Sequence, residues 1–325
     1  MKTVWGVMGA ARVADKFCTA VKNNGGRVGY IGSSDEGRAH EFADRHGIAR
    51  YGDYDGLLAD KEVNAVYVCG TNDVHYEHTL RALNAGKNVL VEKPAAVNAE
   101  QWRLMTETAK SKKLFLMEAM WTLFLPFARV VKDNLQRIGK LRMLQCDFCT
   151  NIPNMSHSGV SRVFALKNFG GGLLDLGIYC VHFCNFVMNG AVPESVSAEG
   201  VLNYERTDSL VALALKYGDV LTTVRTAIDC AGPRGAAIYG EAGSITLPTV
   251  PAPQEVIIKT SAGEEKIDAQ FPGNGFEPQI LHAEQCISHG LPESPFIAHA
   301  TTATAVGVLA DAMLRINYGI NYSAQ

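Results

Sequence analysis

Three things are scarce in this sequence, and each scarcity removes a class of protein. No apolar run approaches the ~20 residues that a membrane-spanning helix needs, so no membrane partner is expected. Neither sign of charge dominates: 30 basic and 33 acidic residues are mixed along the chain for a net charge of −3, which argues against nucleic acid, whose binders carry a basic stripe. Cysteine is thin, with eight residues at 18, 69, 146, 149, 180, 184, 230 and 286 scattered over 325 positions, and this pattern predicts reduced thiols rather than a disulfide framework. Met1-Lys2-Thr3-Val4-Trp5 runs straight into a glycine turn with no room for a signal peptide, which makes a cytoplasmic location the expectation.

What is present is a globular composition, 47% hydrophobic and 19% charged, sufficient for two domains. From residue 4 to about 118, short apolar runs alternate with helical periods, as in βαβ units around a parallel sheet. Strands are expected at 4–8, 28–31, 65–69, 88–91 and 114–118. Val13, Phe17, Ala20 and Val21 recur at helical spacing before Asn23-Asn24-Gly25-Gly26 stops the helix. A second helix is predicted over 75–85, and Asn98 with Gln101 resembles a capping box opening a third, to about 110. After about residue 140, strand-like runs follow one another at 141–151, 195–204, 210–217, 220–229, 236–239 and 255–260, with helices at 174–187, 279–288 and 301–316. The expected fold is α/β: a doubly wound parallel Rossmann sheet over 1–120, then an α+β domain over 121–325 with an open, mostly antiparallel sheet.

The first strand-to-helix turn reads Gly6-Val7-Met8-Gly9-Ala10-Ala11-Arg12-Val13-Ala14, a partial dinucleotide fingerprint. Gly9 takes the first glycine position, while Ala11 and Ala14 replace the second and third. An ordinary strand-turn-helix explains the residues equally well; their place as the first βα turn favours a cofactor, with Gly9, Ala10, Ala11, Arg12 and Val13 around its pyrophosphate. The acidic residue that would bind a ribose 2′-hydroxyl is missing after strand two. Ser33-Ser34 stands there with Arg38 nearby, which suits a 2′-phosphate, so NADP is preferred and NAD is possible; the alternative is that Arg38 is a solvated helix residue.

Glu92-Lys93-Pro94 follows the strand at 88–91, on the edge of the sheet where open α/β folds place ligands. Lys93 can stabilise an alkoxide or phenolate; the other reading is a surface lysine before a helix. In Gly170-Gly171-Gly172-Leu173-Leu174-Asp175-Leu176-Gly177-Ile178-Tyr179, a helix from 174 onward puts Asp175 and Tyr179 on one face. A tyrosine titrates near ~10 and handles protons at neutral pH only beside a cation, for which Lys93 is the candidate. On the residues alone, a packing contact between Tyr179 and Asp175 remains the stronger reading. No metal is expected: Cys146 and Cys149 fall three apart in a strand, on opposite faces, and His75 and His78 read as capping or surface groups.

Trp5-Gly6, Glu92-Lys93-Pro94, Met117-Glu118-Ala119-Met120-Trp121 and the 170–179 stretch together resemble, in order, the glucose-fructose oxidoreductase / inositol dehydrogenase / rhizopine-catabolism (Gfo/Idh/MocA) family. Within it the chain is similar to the branch of dimeric dihydrodiol dehydrogenases and NADP-dependent D-xylose dehydrogenases, a likeness that extends through Glu293-Ser294-Pro295, His299 and Gly319-Ile320. The resemblance implies hydride transfer between a nicotinamide and a carbinol carbon of a sugar, cyclic polyol or trans-dihydrodiol. Lys93, Asp175 and Tyr179 then map onto the catalytic set: Tyr179 moves the hydroxyl proton, Lys93 lowers its pKa, and Asp175 orients the groups or the substrate. It also implies a homodimer or higher homo-oligomer through the C-terminal sheet.

Asn72, His75 and Glu92 join the expected cofactor contacts, and Trp121, Phe148 and His182 the substrate contacts, although Trp121 reads equally as a core residue. Two departures stand out: Cys69-Gly70-Thr71-Asn72 keeps the family's asparagine but loses its proline, and Leu123 replaces an arginine, which leaves substrate specificity open. The competing class is a non-catalytic sensor of a dinucleotide or sugar, against which the retention of Lys93, Asp175 and Tyr179 argues.

Overall fold

Strands buried on both faces must be covered by helices on both, and the N-terminal pattern of short apolar runs meets that demand. In the structure, a computed structural model that describes residues 2–156 and 159–319, six strands form a wholly parallel sheet. They are β1 (Val4–Met8), β2 (Arg27–Gly32), β3 (Tyr51–Gly52), β4 (Ala65–Val68), β5 (Asn88–Val91) and β6 (Leu116–Glu118), in the order β3-β2-β1-β4-β5-β6 of a Rossmann domain. Between them run α1 (Arg12–Asn23), α2 (Glu36–His46), α3 (Tyr54–Ala59), α4 (Asn72–Asn84) and α5 (Ala99–Lys112). Phe17 of α1 stacks on Tyr67 of β4 with ring centroids 3.9 Å apart and meets Trp5 of β1 edge-on at 5.2 Å, all three fully buried. Each such side chain contributes on the order of 2–3 kcal/mol of apolar burial.

Local chemistry explains where the elements begin. Asn98 caps α5 by accepting the Gln101 N–H at 2.9 Å, as its spacing predicts. Asp35 and Asp53 cap α2 and α3 in the same way, two helices the periodicity does not announce. α4 starts at Asn72 rather than 75 because Thr71 is still extended and Asp73 falls in the first turn, where a negative charge is favoured. β6 starts later than expected because Lys113 turns left-handed and the Leu114 N–H bonds back to Ala109, which uses two residues to leave the helix.

The second unit consists of 122–271 and the residues from 303 onward. After α6 (Pro126–Asn134) and β7 (Leu141–Cys149) comes a short hairpin, β8 (Met155–Ser156) with β9 (Gly159–Val160). The π-helical turn Leu173–Gly177 then leads into α7 (Ile178–Val187). The remaining strands are β10 (Ser195–Leu202), β11 (Asp208–Tyr217), β12 (Val220–Ala227), β13 (Arg234–Gly240), β14 (Gly243–Leu247), β15 (Glu255–Thr260) and β16 (Gly263–Asp268). With β7 they form an eight-stranded sheet, β10-β11-β12-β7-β13-β14-β15-β16, antiparallel except between β12 and β7. The sequence pattern passes over β16 because its Gly-Glu-Glu-Lys-Ile-Asp has almost no buried side, the charged character of a protected sheet edge. Within Leu166–Val187 an 18-residue window is apolar enough by composition to cross a membrane, at a mean hydropathy of 1.2, but 94% of that window is buried inside the fold, as befits core segments.

Residues 272–302 pack with the N-terminal residues up to 121. The boundary expected at 120/121 counts them with the second domain. They include α8 (Glu277–Ser288), which lies against α1: Trp5 Nε1 donates to Glu284 at 2.8 Å and Asn23 Nδ2 to Glu277 at 2.9 Å. The Leu116 N–H donates to Pro292 O at 3.1 Å. Bonds spanning more than 170 residues leave no trace in local periodicity. The closing helix, α9 (His299–Arg315), falls largely in the second unit. Ile320, part of the family-like tail, lies outside the described residues.

Candidate active site

Strand order reverses between β1 and β4, and in open α/β sheets the crevice beyond those two carboxyl ends is where ligands bind. Gly9, directly after β1, has φ +122°, and a Cβ there would lie 1.8 Å from the Cys69 carbonyl oxygen. The two loops therefore meet backbone to backbone. Burial and the nearby Glu92 hold the Cys69 thiol well above its usual pKa, and it donates to Gly9 O at 3.1 Å. Ala11 occupies the N-cap of α1 in ordinary extended geometry, φ −91° and ψ 159°, and supplies no side-chain cap. The N–H groups of Arg12 and Val13, in the first turn, face the end of the helix where an anion is held. The partial fingerprint keeps the one glycine that the geometry demands.

At the end of β2, Ser33 is buried and its hydroxyl accepts the Asp35 N–H at 3.2 Å. Asp35 in turn caps α2 through the Arg38 N–H at 2.8 Å. The Arg38 guanidinium donates to Ser34 Oγ at 3.2 Å and stays 61% exposed, so hydroxyl and cation stand together at the strand's end.

The Glu-Lys-Pro turn is fixed by buried polar groups. The Tyr67 hydroxyl donates to Glu92 Oε1 at 2.5 Å, and Glu92 Oε2 accepts the Lys93 N–H at 3.2 Å. The Lys93–Pro94 peptide is cis. Ala95 N–H donates to the buried Glu118 at 2.9 Å, and His75 Nδ1 bonds Pro94 O at 2.8 Å, which requires the proton on Nδ1. His75 and Asn72 are both buried, so His75 is a packing and orienting group rather than a surface one. Trp121, also buried, stands 5.3 Å from the ring of Phe276, a residue the local pattern gives no reason to single out.

In the second unit, the expected α-helix from 174 opens instead with the π turn, a local widening often found at functional sites. Asp175 is buried and accepts a hydrogen bond from Arg162 Nη2 at 3.2 Å. Tyr179 lines a narrow cleft with Thr122, Leu123, Phe127, Cys146 and Phe183, so Leu123 supplies an apolar wall where a charge would otherwise stand. The Phe148 ring is 5.9 Å from that of Tyr179, and the Arg234 guanidinium lies 4.7 Å from the Phe148 centroid. His182 has no exposed surface. Arg162 and Arg234 escape sequence reasoning because their partners are 13 and 86 positions away.

Comparison with known proteins agrees with this geometry. Residues 4–120 match the oxidoreductase family described as having an NAD-binding Rossmann fold, and residues 131–246 match the GFO/IDH/MocA C-terminal domain. Trans-1,2-dihydrobenzene-1,2-diol dehydrogenase of Xenopus tropicalis is 32% identical over 338 residues, covering 99% of this chain and 100% of that protein. The same-named protein of Mus musculus is 32% identical over 327 residues, 95% of each chain. KijD10, a 3-ketoreductase from Actinomadura kijaniata solved with NADP and TDP-benzene, shares the fold with a TM-score of 0.88 at 24% identity, over 97% of this chain and 98% of that one. Levoglucosan dehydrogenase, solved with NADH and levoglucosan, shares it with a TM-score of 0.87 at 17% identity over 98% of both. Matched in both halves and related over its full length, the chain belongs to the GFO/IDH/MocA family and is an NAD(P)-dependent oxidoreductase.

Proposed function

We propose that this oxidoreductase interconverts a carbinol and a carbonyl on a sugar, cyclic polyol or trans-dihydrodiol, with Tyr179 as the acid/base. The observation that carries the reading is the placement of Tyr179, half-buried beside the Phe148 ring, one turn beyond a buried Asp175 that Arg162 braces. In oxidation the Tyr179 phenolate takes the hydroxyl proton as the carbinol carbon gives up its hydride; in reduction the phenol returns the proton to the carbonyl oxygen. The nicotinamide supplies the hydride chemistry at C4. Lys93 supports the phenolate by its charge, and Asp175 orients the reacting hydroxyl. The names of the relatives, a dihydrodiol dehydrogenase, a 3-ketoreductase and a levoglucosan dehydrogenase, support this substrate class.

The residues present fit a dinucleotide: Gly9, having no side chain, lets the loop after β1 pack on the Cys69 backbone and leads bare main-chain N–H groups into the N-terminus of α1. Gly9 to Val13 would line its pyrophosphate, with Asn72, His75 and Glu92 fixing the adjoining loops. Ser33, Ser34 and Arg38 favour NADP over NAD, because a guanidinium beside hydroxyls complements a 2′-phosphate. Trp121, Phe148 and His182 shape or back the substrate side. The second domain carries substrate and, through the outer face of its sheet, self-association.

A spectrophotometric screen at 340 nm tests the reading, using NADP and NAD against D-xylose, D-glucose, inositol, levoglucosan and trans-1,2-dihydrobenzene-1,2-diol. Tyr179→Phe should bind cofactor normally and lose turnover by ~100-fold or more, the scale of a positioned acid/base. Undiminished turnover in that variant would remove Tyr179 from the chemistry.

A further inference from the structure

The helix that carries Asp175 and Tyr179 cannot cap itself, because Gly172 at its N-cap has no side chain. Asp208, the first residue of β11, does so from 35 positions away. It is fully buried, and its Oδ2 accepts the Leu173 N–H at 2.7 Å. The glycine run makes room for it. A Cβ on Gly171, whose φ is +108°, would lie 2.1 Å from Asp208 Oδ1, and one on Gly172 would lie 3.2 Å from Oδ2.

The same turn is braced from behind. The Tyr318 hydroxyl donates to Gly170 O at 2.5 Å, the Gly171 N–H donates to Val163 O at 2.6 Å, and a Cβ on Gly170 would strike Val163 O at 2.5 Å. Thr207, beside Asp208, donates its hydroxyl to Phe164 O at 3.0 Å. The turn is thus clamped between the strand start and the 163–164 backbone. An acid at a helix N-terminus is favoured by the macrodipole, and two residues after the anchored N–H comes Asp175, six after it Tyr179.

We propose that Asp208 is a positioning residue for the oxidoreductase reaction: its carboxyl, seated on the bare backbone of Gly171 and Gly172, sets where the helix starts and hence where Tyr179 and Asp175 stand. This rests on the reading of Tyr179 as the acid/base. It also accounts for two of the three glycines: Gly171 and Gly172 face the carboxyl, while Gly170 is held to glycine by the Val163 carbonyl.

Asp208→Asn preserves volume but turns one acceptor into a donor facing backbone N–H groups, and Gly171→Ala displaces the carboxyl from the opposite side. Both are assayed in the full-length protein, well below their unfolding temperatures, with NADP and whichever alcohol of the screening panel the wild type oxidises fastest; Tyr179→Phe is run alongside. Displacing reacting groups by about an ångström costs on the order of 100-fold, so kcat should fall ~10- to 100-fold in both variants while the NADP Kd stays at its wild-type value. Should Asp208→Asn fail to fold, Gly171→Ala decides. Wild-type kcat in a folded variant, or loss of NADP binding in step with kcat, overturns the inference while leaving Tyr179 in place if Tyr179→Phe is inactive. Full turnover in Tyr179→Phe sinks both.

Discussion

Replacing Gly9 by alanine would strike the structure at its least forgiving contact. A side chain at φ +122° costs roughly 1–3 kcal/mol in backbone strain alone. The new Cβ would also lie 1.8 Å from Cys69 O, where real contacts stay above 3.0 Å, so the loops after β1 and β4 would have to part by more than an ångström. Overpacking of that kind adds about 1–3 kcal/mol. Together these predict a loss of roughly 2–6 kcal/mol, and at about 2–4 °C per kcal/mol a fall in Tm of at least ~4 °C. Because the displaced loop is the proposed pyrophosphate cradle, losing one charge-assisted hydrogen bond should raise the Kd for NADPH by ~10- to 100-fold. Gly47→Ala is the matched control: its φ is +66° but nothing lies within 4 Å of its Cβ position, so it should cost only about 1–2 kcal/mol and leave binding unchanged. Thermal unfolding by circular dichroism and NADPH fluorescence titration read both quantities. A Gly9→Ala protein no less stable than Gly47→Ala and binding NADPH as the wild type does would refute the reasoning.

Three further outcomes are expected. Arg38→Ala should raise KM for NADP by ~10-fold or more with KM for NAD little changed; equal effects on both would mean the guanidinium does not meet a 2′-phosphate. Burial pushes the Asp208 carboxyl from 3.8 up to about 7, against the lowering effect of the Leu173, Asp208 and Gly172 backbone groups. A raised acid stabilises most below its unfolded value and loses that contribution as pH rises through its folded one. The unfolding free energy of the wild type minus that of Asp208→Asn should therefore fall by roughly 3 kcal/mol between pH 4 and pH 7, and a difference flat across urea titrations in that window would contradict it. On the outer face of the second sheet, Leu221 of β12 and Met143 of β7 are paired neighbours, 50% and 40% exposed. Leu221→Glu should shift the sedimentation coefficient towards a monomer; an unchanged value would place self-association elsewhere.

How much was legible depended on how far apart the partners lie. β1 and β5 are found at the expected residues, and the Asn98–Gln101 cap forms as its spacing requires, because each rests on alternation or contacts within a few positions. The helices capped by Asp35 and Asp53 were missed because α3 is too short to show a period and α2 too polar. In the candidate site, Lys93, Asp175 and Tyr179 were named from motifs. Arg162, Arg234, Asp208 and Phe276 were not, since nothing near them in the chain marks their role.

By itself the sequence determined the alternation of strand and helix in the first domain, its Rossmann character, the run of strands in the second and the identity of the chemical groups, since these follow from local patterning and from motifs a few residues long. Tertiary structure alone decided that Gly9 must be glycine because Cys69 O occupies its Cβ position, that residues 272–302 join the first unit, and that a carboxyl from β11 anchors the helix bearing Tyr179. The physical reason is the same in each case: a hydrogen bond or steric limit acts across ångströms in space, whatever the number of residues between its partners.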